Sequence, residues 1–195
     1  MSQHWSVEFG RYVDSKTGQP APAAAMSSSR RLVRQALVFL ALFSALQIGW
    51  ELSRGGVIER LVVHDMTVRP AAALIRLLTP DIAARATGFS VKAPGGGLNI
   101  QNGCEGMEAL FLLLAAFLAA PLPGRTRLNG IATGVLLVYA LNQARIVALF
   151  YAWRASPARF DLLHGSVLPV AIVLIISAYF HAWLDLHARR TAAPC

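Results

Sequence analysis

The chain has 195 residues, of which 55% are hydrophobic and 14% charged, and its mean hydropathy is +0.51. A soluble domain of this length keeps a larger polar share for its surface, so the composition excludes an ordinary water-soluble globule and points to a membrane protein. The net charge of +8 would suggest nucleic acid only if the basic residues lay away from the ends of membrane spans.

Residues 1–29 are polar and rich in Ala, Ser and Pro without apolar periodicity, and read as a loose cytoplasmic tail. Met26 is an alternative start position. The first apolar block, 32–52, has about the ~20 residues that a bilayer crossing needs, and no small-residue cleavage site follows it. The next stretch, 57–78, repeats its apolar residues at helical spacing, but Glu59, Arg60, His64, Asp65, Arg69 and Arg76 interrupt it. Each such group costs about 2.5–3.5 kcal/mol at mid-bilayer. An amphipathic helix lying on the membrane surface is therefore predicted. "TGFSVKAPGGGLNIQNG" reads as a hairpin or extended loop, and no Lys-Ser/Thr follows its glycines to make a phosphate loop.

Further spans are predicted at 106–122, 128–153 and 167–186, with the tail 189–195 closing the chain. The expected fold is all-α, a multi-pass membrane helical bundle of about four transmembrane helices over 30–188, plus an extracytoplasmic amphipathic helix and a short loop or hairpin. Arg30, Arg31 and Arg34 precede the first span, Arg125 and Arg127 separate the second and third, and Arg189 and Arg190 follow the fourth. Four spans put these clusters on one side, which the positive-inside rule makes cytoplasmic, although Arg154 and Arg159 fall on the other side. The positive charge is thereby a topology signal, and no nucleic-acid partner is expected. Both termini are predicted cytoplasmic in a plasma (inner) membrane.

Under that topology three polar residues meet near the outer leaflet. Cys104 opens the second span, and His164, in "FDLLHG", opens the fourth. Arg145, in "LNQARIVALFY", lies about nine residues, or roughly 13 Å at ~1.5 Å per residue, inside the outer end of the third. Singly, a cysteine in a membrane helix is commonly a small hydrophobe and a loop-end histidine an interfacial residue. An intramembrane guanidinium is different: its cost makes it a functional hypothesis by default, against an ion pair with Glu108 or snorkelling.

The three types make a coherent chemistry. A thiol at a helix N-terminus is expected to have a lowered pKa. His164 can pair with it and pass the proton to a leaving amine, and Arg145 can hold an oxyanion. Asn142 shares a helix face with Arg145 and is expected to orient it. Asp161 is expected to fix the His164 tautomer. Glu108 opposes thiolate formation unless Arg145 neutralises it, so its expected role is supporting.

"NGCEGMEA", "LNQARIVALFY" and "FDLLHG" resemble, in order, the three signature blocks of the exosortase/archaeosortase family, and the first looks most like the exosortase H subgroup. The resemblance spans 32–186. It implies a multi-pass cysteine peptidase/transpeptidase that uses Cys104, Arg145 and His164 and needs no cofactor or metal. Asn102, which opens the first block, joins Glu108, Asn142 and Asp161 as an expected supporting or substrate-positioning residue. The implied partners are membrane lipid and exported proteins bearing a C-terminal sorting signal: a motif of the Ile-Pro-Thr-Leu…Trp-Gly type, a transmembrane helix and a basic cluster. Glu105 departs from the subgroup, which often has Asn after the cysteine, and the chain lacks the extra leading spans of many exosortases.

Other classes compete. A membrane thiol–disulfide oxidoreductase would need a CxxC or a second outward cysteine, and Cys195 is predicted cytoplasmic. A metal site from Cys104, His164 and His64 has suitable ligand types but no close-spaced ligand pair. A non-enzymatic assembly factor or transporter subunit is the remaining alternative, although Pro169 has no counterpart in a matching half.

Overall fold

The structure, a computed structural model, describes residues 22–100 and 103–192, with side chains over 29–100 and 103–187. The expectations for residues 1–21, Asn102 and Cys195 lie outside the described residues.

The chain is mostly helical. Helix α1 spans Pro22–Leu52. It begins before residue 32, because Pro22 followed by three alanines is a favourable helix start. Helix α2 runs as Val57–Glu59, a π-helical stretch Arg60–Val68 and Arg69–Leu78. A 3-10 turn, Pro80–Ile82, leads into strands β1 Arg85–Thr87, β2 Ser90–Ala93 and β3 Gly96–Asn99. Helix α3 is Met107–Ala119, α4 is Gly124–Ala155, and α5 runs as Pro157–Leu162, a π-helical turn Leu163–Val167 and Leu168–Ala192.

Among the described residues three helices are long and apolar enough to cross a membrane: Ser29–Leu52, Gly124–Ala155 and Pro157–His187. The span expected over 106–122 is the shorter apolar helix α3, of 13 residues. It ends where Pro121 and Pro123 withdraw backbone donors. Arg127 Nη2 then donates to the carbonyls of Ala120 and Leu122, 3.1 Å each, so this arginine caps a helix end.

Both π-helical stretches have a sequence cause. Pro70 and Pro169 sit just after them, and a proline ring clashes with the carbonyl four residues back. The helix widens there, and the backbone N–H groups of Arg69 and Leu168 bond to the fifth carbonyl back, of His64 and Leu163.

The expected hairpin is a three-stranded antiparallel meander in the order β1-β2-β3. Val91 opposes Leu98, and both are buried with Val68, Ile75, Ile100, Ile146 and Phe150 in one core. Gly96 has φ +131, and a Cβ there would run into the Trp153 ring, which is why the meander closes on glycine. Helix α4, of 32 residues and about 48 Å, outlasts a bilayer core of about 30 Å. Its last turns serve the meander and α2 instead: Arg154 Nη1 donates to the Pro94 carbonyl at 3.0 Å, and Tyr151 shares a 2.6 Å hydroxyl contact with Thr79. The apolar stripe of α2 (Val63, Val68, Ala71, Ala72 and Ile75) is buried in this layer. A second core, of Leu113, Phe117, Val138 and Ile176, joins α3, α4 and α5.

Candidate active site

Residues 103–106, Gly-Cys-Glu-Gly, form the turn that enters α3, with both glycines at positive φ, +92 and +82. Only residues without a Cβ take that conformation readily, so the glycines set the directions of Cys104 and Glu105. A Cβ on Gly106 would lie 2.7 Å from Asn142 Cγ, so the amide of Asn142 on α4 packs directly against the turn.

Glu105 fastens it. Its buried carboxylate accepts from the Gly103 backbone N–H at 2.7 Å and from Trp50 Nε1 at 3.1 Å, and Arg54 Nη2 lies 3.6 Å away. Asn142 Nδ2 donates to the Glu105 carbonyl at 3.0 Å, and Arg145 Nη1 to the Gly103 carbonyl at 3.1 Å. The turn is thus held from the end of α1 on one side and from α4 on the other.

Cys104 Sγ stands 3.6 Å from His164 Nδ1, across sixty residues of sequence. His164 lies in the π-helical turn before Pro169, and its ring stacks on Phe160 with centroids 5.2 Å apart and planes 11° apart. With the proton on sulfur, Nδ1 is the acceptor and the ring proton sits on Nε2; proton transfer gives a thiolate–imidazolium pair.

Cys104 is 6% exposed. Burial pushes its thiol above the ordinary range; the Arg145 guanidinium pulls it down, while Glu105 and Glu108 add to the rise. The depression expected from a helix N-terminus is not the net result, because Cys104 precedes the N-cap, Gly106, and loses its hydration. The sign gives a prediction. Thiolate is the reacting form, so in a Cys195→Ser background the pH profile of Cys104 modification by methyl methanethiosulfonate is expected to inflect above that of a free thiol. Arg145→Met should shift the inflection higher and Glu108→Gln lower. A midpoint at or below the free-thiol value, read by mass spectrometry of the Cys104 peptide, would contradict this balance.

The structure brings Cys104 and His164 together and sets Arg145 on the carbonyl one residue before the cysteine. Other expected pairings are not formed. Asp161 is exposed and has no hydrogen bond to His164 among the described residues; the ring's Nδ1 faces sulfur instead. Glu108 is exposed, and among the described residues no carboxylate lies within ion-pair distance of Arg145. Asn142 bonds the turn rather than Arg145. His64 Nδ1 is bonded to the Gly88 carbonyl at 2.6 Å, and among the described residues no three His, Cys, Asp or Glu side chains gather for a metal.

Glu105, Trp50, Arg54 and Phe160 were not marked by the sequence reading as parts of a site. The available signal was a carboxylate between apolar stretches and flanked by a glycine, a group that cannot stay buried without donors. Beside the turn a partly enclosed cavity of about 90 Å³ opens between α3, α4 and α5, bordered by Gly103, Glu108, Asn142 and Arg145. Comparison with protein-family models, with curated proteins and with solved structures finds no match.

Proposed function

We propose that this chain is a membrane-embedded cysteine peptidase/transpeptidase of the exosortase type, most like exosortase H, which cleaves C-terminal sorting signals from exported proteins. The observation that carries the proposal is the 3.6 Å contact between Cys104 Sγ and His164 Nδ1, with Arg145 bonded one residue away. The three signature-like blocks add to it. In this reading the protein has four membrane crossings, both termini lie in the cytoplasm, and the site faces outward.

The resting thiol holds its proton. As substrate binds, His164 Nδ1 takes that proton and sulfur forms a bond to the scissile carbonyl carbon. The oxyanion is stabilised by Arg145, a donor strengthened where water is scarce. The tetrahedral intermediate expels the amine, which leaves with the proton from His164, and the acyl group stays on Cys104 as a thioester. Water, an amine, or a glycan or lipid hydroxyl then resolves the thioester and frees the thiol.

The test is co-expression with a reporter that carries a sorting signal, its helix and its basic cluster. Cys104→Ala is expected to abolish processing while the protein still accumulates in the membrane. In the parent chain a hydroxylamine-sensitive adduct should map to the Cys104 peptide. Normal processing by Cys104→Ala would overturn covalent catalysis by this thiol. The competing reading, a non-enzymatic assembly factor or transporter subunit, draws on the burial of Cys104 and predicts no adduct at all.

A further inference from the structure

A base that serves a thiol must hold one ring nitrogen on the sulfur, a task commonly done by a third group bonded to the far side of the imidazole. His164 has no such group. Among the described residues the ring's one hydrogen-bond contact is Cys104 Sγ at 3.6 Å, and the carboxylate of Asp161 is not bonded to it. Rotamer preference does not supply the constraint either, because the second side-chain torsion of histidine is broad. What faces the ring is Phe160. The two rings lie 11° from parallel with centroids 5.2 Å apart, in the range of an offset stack. Phe160 stands four residues before His164, in the segment Pro157–Leu162, and the widened turn Leu163–Val167 carries the histidine. Phe160 is itself half-buried and packed against the core that includes Cys104, Ile146 and Phe150. That core fixes the phenyl ring, and a parallel neighbour keeps the imidazole from turning about its Cβ–Cγ bond. The stack sets the plane, and the sulfur contact selects which edge of the ring faces it.

We propose that Phe160 is the positioning residue of the Cys104–His164 pair, holding the imidazole plane by stacking in the place of the carboxylate that such pairs commonly use. Phe160 acts through His164 and takes no part in the proton transfer. Loss of its flat face leaves thiol and base in the fold but spreads the imidazole over orientations in which Nδ1 misses the sulfur. A stack of this kind biases orientation by up to about tenfold. In peptide cleavage, which rests on the peptidase reading, His164 takes the sulfur proton and later gives it to the leaving amine, so one fixed plane serves both transfers.

Alkylation by iodoacetamide tests this without a client protein. Sulfur displaces iodide from the methylene carbon, forming a thioether, and the thiol proton passes to His164 Nδ1. The full-length chain is used in detergent, in a Cys195→Ser background, at about pH 7.5, below the ordinary thiol pKa. The measured quantity is the rate of Cys104 alkylation with His164 divided by the rate with His164→Gln, read by mass spectrometry of the Cys104 peptide in each Phe160 background. This ratio is expected to be about tenfold in the parent chain and in Phe160→Tyr, which keeps a flat ring, and close to one in Phe160→Leu. Phe160→Met, with a more adaptable side chain, is expected to give the leucine result again. A packing defect that only opens the site changes both rates alike and leaves the ratio as it was. A ratio kept in Phe160→Leu and Phe160→Met would therefore overturn the proposal. So would a ratio near one in the parent chain, a ratio lost in Phe160→Tyr, or a ratio abolished by Asp161→Asn. Alkylation needs no turnover, so this result and the processing result with Cys104→Ala can fail separately.

Discussion

Glu105→Leu is expected to lower the thermal midpoint in detergent sharply and to speed the modification of Cys104. The carboxylate is buried, and two N–H groups aim at it, from the Gly103 backbone and the Trp50 indole. Leucine fills the space but accepts nothing, so each donor is left unsatisfied at about 1–3 kcal/mol. Arg54 is not stranded, since it also pairs with Glu51 and lies 3.8 Å from Glu59. The thiol should become more reactive for two reasons. A loosened turn rehydrates the sulfur, and Glu105 no longer adds to the rise of the thiol pKa. Glu105→Gln should fall between parent and leucine variant, because one amide oxygen can still accept from one donor. A Glu105→Leu protein with the parent's melting curve and labelling rate would show that the clamp holds nothing.

The second large effect is expected from Gly130→Leu. Gly130 and Gly134 lie on one face of α4, and side-chain atoms fill the space where a Cβ would go: Phe117 and Trp183 at Gly130, Leu113 and Tyr179 at Gly134. Close approach of helices over small residues is how membrane bundles gain packing, because lipid offers no hydrophobic drive for it. Phe117 sits at the centre, edge-on to Phe180 with ring centroids 5.0 Å apart, and the Tyr179 hydroxyl donates to the Gly130 carbonyl at 2.7 Å. Leucine at 130 must push α3 and α5 outward, breaking that bond and separating the rings, at a cost of about 1–3 kcal/mol or more. Gly49→Ala on α1 meets nothing within 4 Å and replaces the poorer helix former, so it should be neutral or slightly stabilising. Equal melting curves for the two variants would remove this account of the packing.

Hydropathy placed the long helices because each apolar block declares itself without reference to its neighbours. The amphipathic stretch over 57–78 was readable for the same reason, and its inner stripe is buried as helical spacing requires. Local pattern failed where structure depends on a partner or on a change of helical pitch. The Glu105–Trp50 bond joins residues 55 apart, and periodicity carries no record of such a pairing. The π-helical turn around His164 follows from Pro169, so a uniform 3.6-residue helix would aim that ring elsewhere. The G-x-x-x-G spacing of Gly130 and Gly134 was visible in the letters, but its meaning came only with the rings packed over it. Among the site residues, Cys104, Arg145 and His164 were readable as types near one end of the helices. Asp161 was assigned its job by spacing alone and lies exposed without a bond to His164 among the described residues, whereas Glu108, also exposed, does oppose thiolate formation at Cys104 as expected.

The brevity of α3 has a consequence for where its chemistry happens. Thirteen residues rise about 20 Å, well short of a hydrocarbon slab about 30 Å thick. If the far end of α3 sits at one headgroup layer, the Gly-Cys-Glu-Gly turn is submerged at the other, and the lipid must thin around it. Irregular backbone survives at such depth only when protein supplies the missing hydrogen bonds. At such depth Trp50, Asn142 and Arg145, which bond the turn, take the place of solvent, and in the proposed peptidase reading a peptide drawn toward Cys104 sheds its own water on the way in.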